Sequence, residues 1–211
     1  MNVIQKYAPS SDGNGGVKDK LKARLVGGGD CQDRNLYSRA DTSSPTTSTS
    51  AILIIAQLAA LERMHIISLD IGRAYLNARM LKDDPEKPAF MTIAPIFANI
   101  LFDIDLSYKE FLRPNGSIIV ELDQALYRCI ESALLWHKEI SPFLASIGFV
   151  PNLYEKRILN MKQAGGQTTI AIYVYDLLIT SSKQTQAGTV LVALRDKYKK
   201  LKVTTGQVHN Y

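Results

Sequence analysis

Apolar residues along the chain gather in short runs, and the spacing within each run predicts a mixed succession of strands and helices. In residues 169–180 two β-forming runs, one holding Ile170, Ile172 and Val174 and the other Leu177, Leu178 and Ile179, meet at a single carboxylate, Asp176. Asp is depleted in strands, and a charge flanked by Val, Leu and Ile needs a cation, a metal or water. Asp is also a favoured residue at the tip of a tight hairpin, so this stretch alone leaves both readings open. Residues 65–71 form a second short apolar run with its own carboxylate, Asp70, close to the end. Upstream, Lys22-Ala23-Arg24-Leu25-Val26 alternates so that Lys22 and Arg24 share one face of a strand, which the glycines Gly27, Gly28 and Gly29 then break.

Helices are predicted between these strands. The Ser/Thr-rich residues 43–50 supply capping groups for a helix over 51–63, and its apolar residues Ile52, Leu53, Ile54, Ile55, Leu58 and Leu61 surround the axis, which predicts a mostly buried element. Residues 126–144 read as a helix turning Ile130, Leu134, Leu135 and Trp136 to a core, with Gly148 ending it, and 194–202 as a final basic helical segment. Residues 90–93 look like a strand, and 94–112 show no assignable pattern. The turn Pro114-Asn115-Gly116-Ser117 leads into an apolar run at 118–122, which predicts a hairpin arm. Residues 1–17 are polar and glycine-rich and read as a flexible lead-in.

Composition narrows the picture only a little. A length of 211 residues and a formal charge of +5 suit a globular protein, and the basic balance is compatible with a polyanionic partner without establishing one. Cys31 and Cys129 lie in no Cys/His cluster, so no zinc site is predicted, and a reduced intracellular setting, cytoplasmic or nuclear, is the simplest expectation. The longest apolar stretch, 51–61, is too short to span a bilayer, so no membrane is expected. His65 and His209 are isolated and not expected to be ligands, His137 reads as structural, and Lys197, Lys199, Lys200 and Lys202 read as a solvated helix face.

The two carboxylates carry the chemical expectation. Two strands that each bring one Asp to a sheet edge create a repulsion that Mg²⁺ between them would relieve, and magnesium takes one or two carboxylates together with substrate phosphates. With the basic strand, the pattern points to phosphoryl transfer on nucleic acid.

Six blocks in order resemble the reverse transcriptase of copia-type retrotransposons: Lys22-Ala23-Arg24-Leu25-Val26; Ser44-Pro45-Thr46; Leu69-Asp70-Ile71-Gly72-Arg73-Ala74-Tyr75-Leu76-Asn77; the run from Ala125 through Trp136; Gly148-Phe149; and Tyr173-Val174-Tyr175-Asp176 with its apolar continuation. A last block looks like Gly206 with Tyr211. The resemblance implies an α+β fold of fingers and palm, with an antiparallel palm sheet backed by helices and without thumb or ribonuclease H portions. It implies fingers-like segments at 18–48 and 79–122, and palm-like segments at 49–78 and 123–211. Asp70 and Asp176 would then be catalytic and hold Mg²⁺, Lys22 and Arg24 would grip the triphosphate of a deoxynucleoside triphosphate, and Tyr75 would pack beneath its sugar. The partner would be an RNA or DNA primer-template.

Three departures from the family pattern set the expectation for activity. The family hairpin reads Tyr-Val-Asp-Asp, and its first acid, a metal ligand, is Tyr175 here. A phenol is neutral at pH 7 and cannot replace a carboxylate between two cations. Arg128 stands where the family has glycine, so the turn there is strained or the pocket crowded, and Gly27-Gly28 removes one fingers cation. The expectation is an RNA-directed DNA polymerase by descent that is catalytically impaired. The alternatives are a non-catalytic nucleic-acid-binding module and a non-functional retrotransposon remnant.

Overall fold

The computed structural model describes the backbone at residues 2–11, 17–38, 42, 44, 46–80 and 88–206, and side chains at these positions from Leu25 onward except Leu36. Strands β1 (Asn2–Ser11) and β2 (Val17–Val26) form an antiparallel pair. Residues 2–11 are thus not the flexible lead-in that composition predicted. The glycine-rich character belongs to 13–16 alone, while Val3, Ile4 and Tyr7 are good strand formers.

Helix α1 (Thr49–Leu61) is capped by Ser48, whose hydroxyl accepts from the Ala51 amide, and leads into β3 (His65–Ile71). Strands β4 (Phe90–Ile93) and β5 (Ile118–Glu121) pair with each other around α2 (Pro95–Ile104). Helix α3 (Ser132–Ser146) follows, then β6 (Val150–Pro151), β7 (Ile158–Gln163), β8 (Gly166–Tyr173), β9 (Asp176–Ser181), α4 (Gln184–Tyr198) and β10 (Leu201–Thr205). Six of the strands make one antiparallel sheet in the order β10-β3-β9-β8-β7-β6.

The period-two pattern of the central strands divides the sheet into two faces. Ile67, Leu69, Ile71, Ile170, Ile172, Leu177 and Ile179 point to one face and pack against Trp136, Ile140 and Leu144 of α3 and Ala187, Val190 and Leu194 of α4. The alternate residues Ala171 and Leu178 meet Ile55 of α1 on the other face. Asp70 and Asp176 belong to this second face, beyond the part that α1 covers with Ile55.

Several elements differ from their sequence-based expectations for identifiable reasons. Helix α1 buries only Ile55 and Ala59, and Leu61 is 80% exposed, because it meets the sheet through a single narrow stripe. The helix predicted from 126 starts at Ser132, since residues 126–132 are held in turns by the Cys129 amide on Leu126 O and the Ser132 hydroxyl on the same carbonyl. Residues 114–117 do turn, with Gly116 at φ 80°, but the strand that follows takes β4 as its main partner. The basic helix predicted to 202 stops at Tyr198, where Lys199 adopts φ 58°, and Leu201 instead opens the edge strand β10. The unassigned stretch 94–112 holds α2, begun by Pro95 at its first position, and a 3₁₀ turn at Leu106–Phe111.

Candidate active site

The site begins with the register of β3 against β9, in which Asp70 lies directly opposite Asp176. The Ile71 amide donates to Tyr175 O at 3.2 Å, which makes 71/175 a hydrogen-bonded rung and 70/176 the adjacent non-bonded one. Side chains on non-bonded rungs are the closer kind, with Cβ atoms about 4.5–5.5 Å apart. Both carboxylates are half-buried. Burial, and then the facing charge of Asp70, raise the Asp176 carboxyl above the ordinary carboxylate range. Like charges placed opposite each other destabilise a sheet, and a bound cation would relieve that cost.

A two-residue turn, Val174-Tyr175, joins β8 to β9, with Tyr173 paired to Asp176 across its base. Val174 has φ 58° and Tyr175 does not share that sign, the pattern of a type II′ hairpin, whose first central position favours glycine. A β-branched residue there is a backbone outlier. The buried Trp136 of α3 donates its indole N–H to Val174 O at 2.8 Å and so fixes the turn from the core side.

Tyr175 follows Val174 in the turn and precedes Asp176. It packs against the helix-covered core and meets Tyr75 edge-on, centroids 6.1 Å apart, and Tyr127 at 6.4 Å, while Tyr75 and Tyr127 lie 4.8 Å apart. Burial, with smaller contributions from Tyr175 and Tyr127, pushes the Tyr75 hydroxyl up to about 12.

The loop after β2 is tied to this cluster through backbone. The Gly27 amide donates to Tyr127 O at 2.8 Å, and Val26 forms a bridge with Tyr127. A Cβ on Gly29 would overlap the Arg128 carbonyl oxygen and one on Gly27 the Cys129 sulfur, so both positions require glycine for close approach. Arg128 itself is exposed with φ 71°, so of the two consequences predicted for it, strain is the one observed. A polar latch completes the junction. Gln32 donates through Nε2 to Glu131 at 3.1 Å and accepts from the Ile130 amide at 2.7 Å, and the Tyr37 hydroxyl donates to Glu131 at 3.2 Å. Glu131 is 2% exposed and stands at the N-terminus of α3 without a capping hydrogen bond from its side chain, at the helix end where a carboxylate is favoured.

Of the residues predicted for the site, Asp70 and Asp176 are brought together, and Tyr75 joins the aromatic cluster beside their hairpin. Lys22 and Arg24 lie in β2 opposite Lys6 and Ile4, with side chains outside the described residues. Residues 207–211 of the last block are also outside them. Among the described residues no group of three or more His, Cys, Asp or Glu side chains gathers to hold a metal, which leaves the Asp pair as the acidic set. Sequence reasoning missed the pairing of Gln32 with Glu131, which lie far apart in the chain, although Glu131 falls within the block from Ala125 through Trp136, and it read Trp136 as packing. No helix among the described residues is long and apolar enough to cross a membrane.

This antiparallel sheet, with paired acids beside a tight hairpin, is compatible with a nucleotide polymerase domain. The chain belongs to the reverse transcriptase (RNA-dependent DNA polymerase) family, whose model matches residues 5–211. It is 28% identical over 194 residues to the retrovirus-related Pol polyprotein from transposon RE1 of Arabidopsis thaliana, a match covering 92% of this chain and 12% of that protein. It is 25% identical over 183 residues to the corresponding polyprotein from transposon RE2 of the same plant, covering 87% of this chain and 11% of that one. The chain thus spans a small part of the curated relatives it matches. No solved structure matches it.

Proposed function

We propose that the chain is the fingers and palm portion of a copia-type reverse transcriptase whose two-metal nucleotidyl-transfer site is impaired. The six-stranded sheet with α3 and α4 would be the palm, and the β1-β2 and β4-β5 pairs would belong to the fingers. Asp70 and Asp176 would hold Mg²⁺, which when bound supplies charge stabilisation to the attacking and leaving oxygens of the transfer. Their half-buried, mutually repelling arrangement suits a divalent cation better than it suits an empty rung. Tyr75 would support the sugar of the incoming nucleotide, and Lys22 and Arg24 the triphosphate. Tyr175 contributes no carboxylate. Loss of one oxyanion donor elsewhere costs roughly 10²–10³ in rate, and loss of a direct metal ligand costs at least as much.

The observation that carries this reading is the register placing Asp70 opposite Asp176 in a chain of this family. Its test is Mn²⁺ binding followed by electron paramagnetic resonance, with Mn²⁺ standing in for Mg²⁺. The native chain should bind the ion, and Asp70→Asn should abolish that binding. Equal binding by the Asp70→Asn protein would contradict the assignment. Tyr175 specifically favours a second reading, a nucleic-acid-binding module without chemistry. Fluorescence anisotropy with a primer-template would support that reading if affinity falls steeply with salt while no primer is extended.

A further inference from the structure

The missing acid is the obvious consequence of Tyr175, but the ring that replaces it has a position of its own. From the hairpin turn it reaches the side of the sheet that packs on α3 and α4 and meets both Tyr75 and Tyr127. These three rings come from the 3₁₀ turn after β3, the loop before α3, and the β8-β9 turn, and all three are half-buried. Tyr75 thus has an aromatic neighbour on two sides, Tyr127 at 4.8 Å and Tyr175 at 6.1 Å. Edge-to-face pairs at such separations are attractive beyond their buried area, which holds the rings together. The turn is further restrained by the Trp136 bond to Val174 O, so the Tyr175 ring is not free to swing out with its backbone.

We infer that Tyr175 is a specificity-determining residue that closes the nucleotide pocket: its ring occupies the flank of Tyr75 against which the sugar of an incoming deoxynucleotide would pack. This rests on the reading of Tyr75 as the sugar support. A small residue at 175 would open that flank even without restoring a carboxylate, so exclusion of the nucleotide and loss of the metal ligand are separable properties of one substitution. The phenol oxygen has no part in the exclusion, which is a matter of ring volume.

The test uses the whole chain on a primer-template whose primer ends in a dideoxynucleotide, so that binding is read without chemistry. The probe is the deoxynucleoside triphosphate complementary to the next template base, in Ca²⁺, and the readout is retention of the complex against a heparin challenge. The native chain and Tyr175→Phe should need the same nucleotide concentration for retention, and Tyr175→Ala should lower that concentration by at least about tenfold. Tyr175→Asn serves the same purpose if the alanine protein does not fold by circular dichroism. Retention by Tyr175→Phe equal to that of Tyr175→Ala, or no gain in either small variant while primer-template is still bound, overturns the inference. Failure of every protein, native included, to bind primer-template overturns instead the polymerase reading beneath it.

Discussion

Trp136 donates its indole N–H to the carbonyl of Val174, the residue held at φ 58° in the turn that precedes Asp176. A left-handed conformation costs an L-residue about 1–2 kcal/mol, and such strain persists only where the surroundings impose it. Trp136→Phe keeps an aromatic ring in the core and removes the donor. It should lose about 1–3 kcal/mol of stability by urea denaturation, through the abandoned carbonyl and the smaller ring. Val174→Gly should move stability the other way by relieving the turn. A Trp136→Phe protein as stable as the native one would contradict the proposed restraint.

Arg128 illustrates backbone strain at an exposed position. Its side chain is exposed and its φ is 71°, a conformation glycine adopts freely. Arg128→Gly should therefore stabilise the chain by about 1 kcal/mol, which for a chain of this size raises the melting temperature by roughly 2–4 °C. Gly29→Ala should have the opposite sign, because its new methyl meets backbone oxygen at Arg128. Differential scanning calorimetry on the two variants checks both directions.

The acid limb of stability should depend on His137. Burial, with the Arg157 guanidinium beside it, holds this imidazole down at about 4, well below its ordinary value of about 6.5. Arg157 Nη1 donates to the neutral ring, 2.6 Å from Nε2, and the Ser141 hydroxyl lies 2.8 Å from Nδ1. Because the folded value is depressed, the unfolded chain binds the proton first. Stability is present above about pH 6.5 and is lost as pH falls toward about 4. His137→Gln should flatten that part of the pH profile of urea midpoints. An unchanged slope would show that His137 takes no part.

Asp176 behaves in the reverse sense. Its folded value is raised by burial and by Asp70, so the native chain keeps this proton to a higher pH than the unfolded one. Its contribution to stability therefore falls as pH rises from the ordinary carboxyl value of about 3.9 through the raised folded value. Without divalent cations, Asp176→Asn should be more stable than the native chain at pH 7 and indistinguishable at pH 3. Millimolar Mg²⁺ should raise the melting temperature of the native chain and leave that of Asp176→Asn unmoved.

Much of this was legible in the sequence because it rests on short-range patterns. The apolar runs at residues 65–71 and 169–180 located β3, β8 and β9, and an acid in each run identified the pair that the sheet brings together. The positive φ of Arg128 followed from asking why a glycine position carries a cation. What could not be read depends on tertiary contact. The burial of α1 is decided by a sheet that covers only one stripe, and an all-apolar helix carries no periodicity to say which stripe. The Gln32-Glu131 latch joins residues that only the fold makes neighbours. Tyr175 was legible as a lost acid, but its place against Tyr75 and Tyr127 depended on three separate loops converging.

Primer extension tests the central claim most directly, that this reverse transcriptase chain retains a paired-acid site disabled by Tyr175. On a primed RNA template with Mg²⁺ and all four deoxynucleoside triphosphates, the native chain should add no nucleotide. Tyr175→Asp combined with Arg128→Gly should add nucleotides and lose that activity again on Asp70→Asn. Robust Mg²⁺-dependent extension by the native chain, abolished by Asp70→Asn, would contradict the claim.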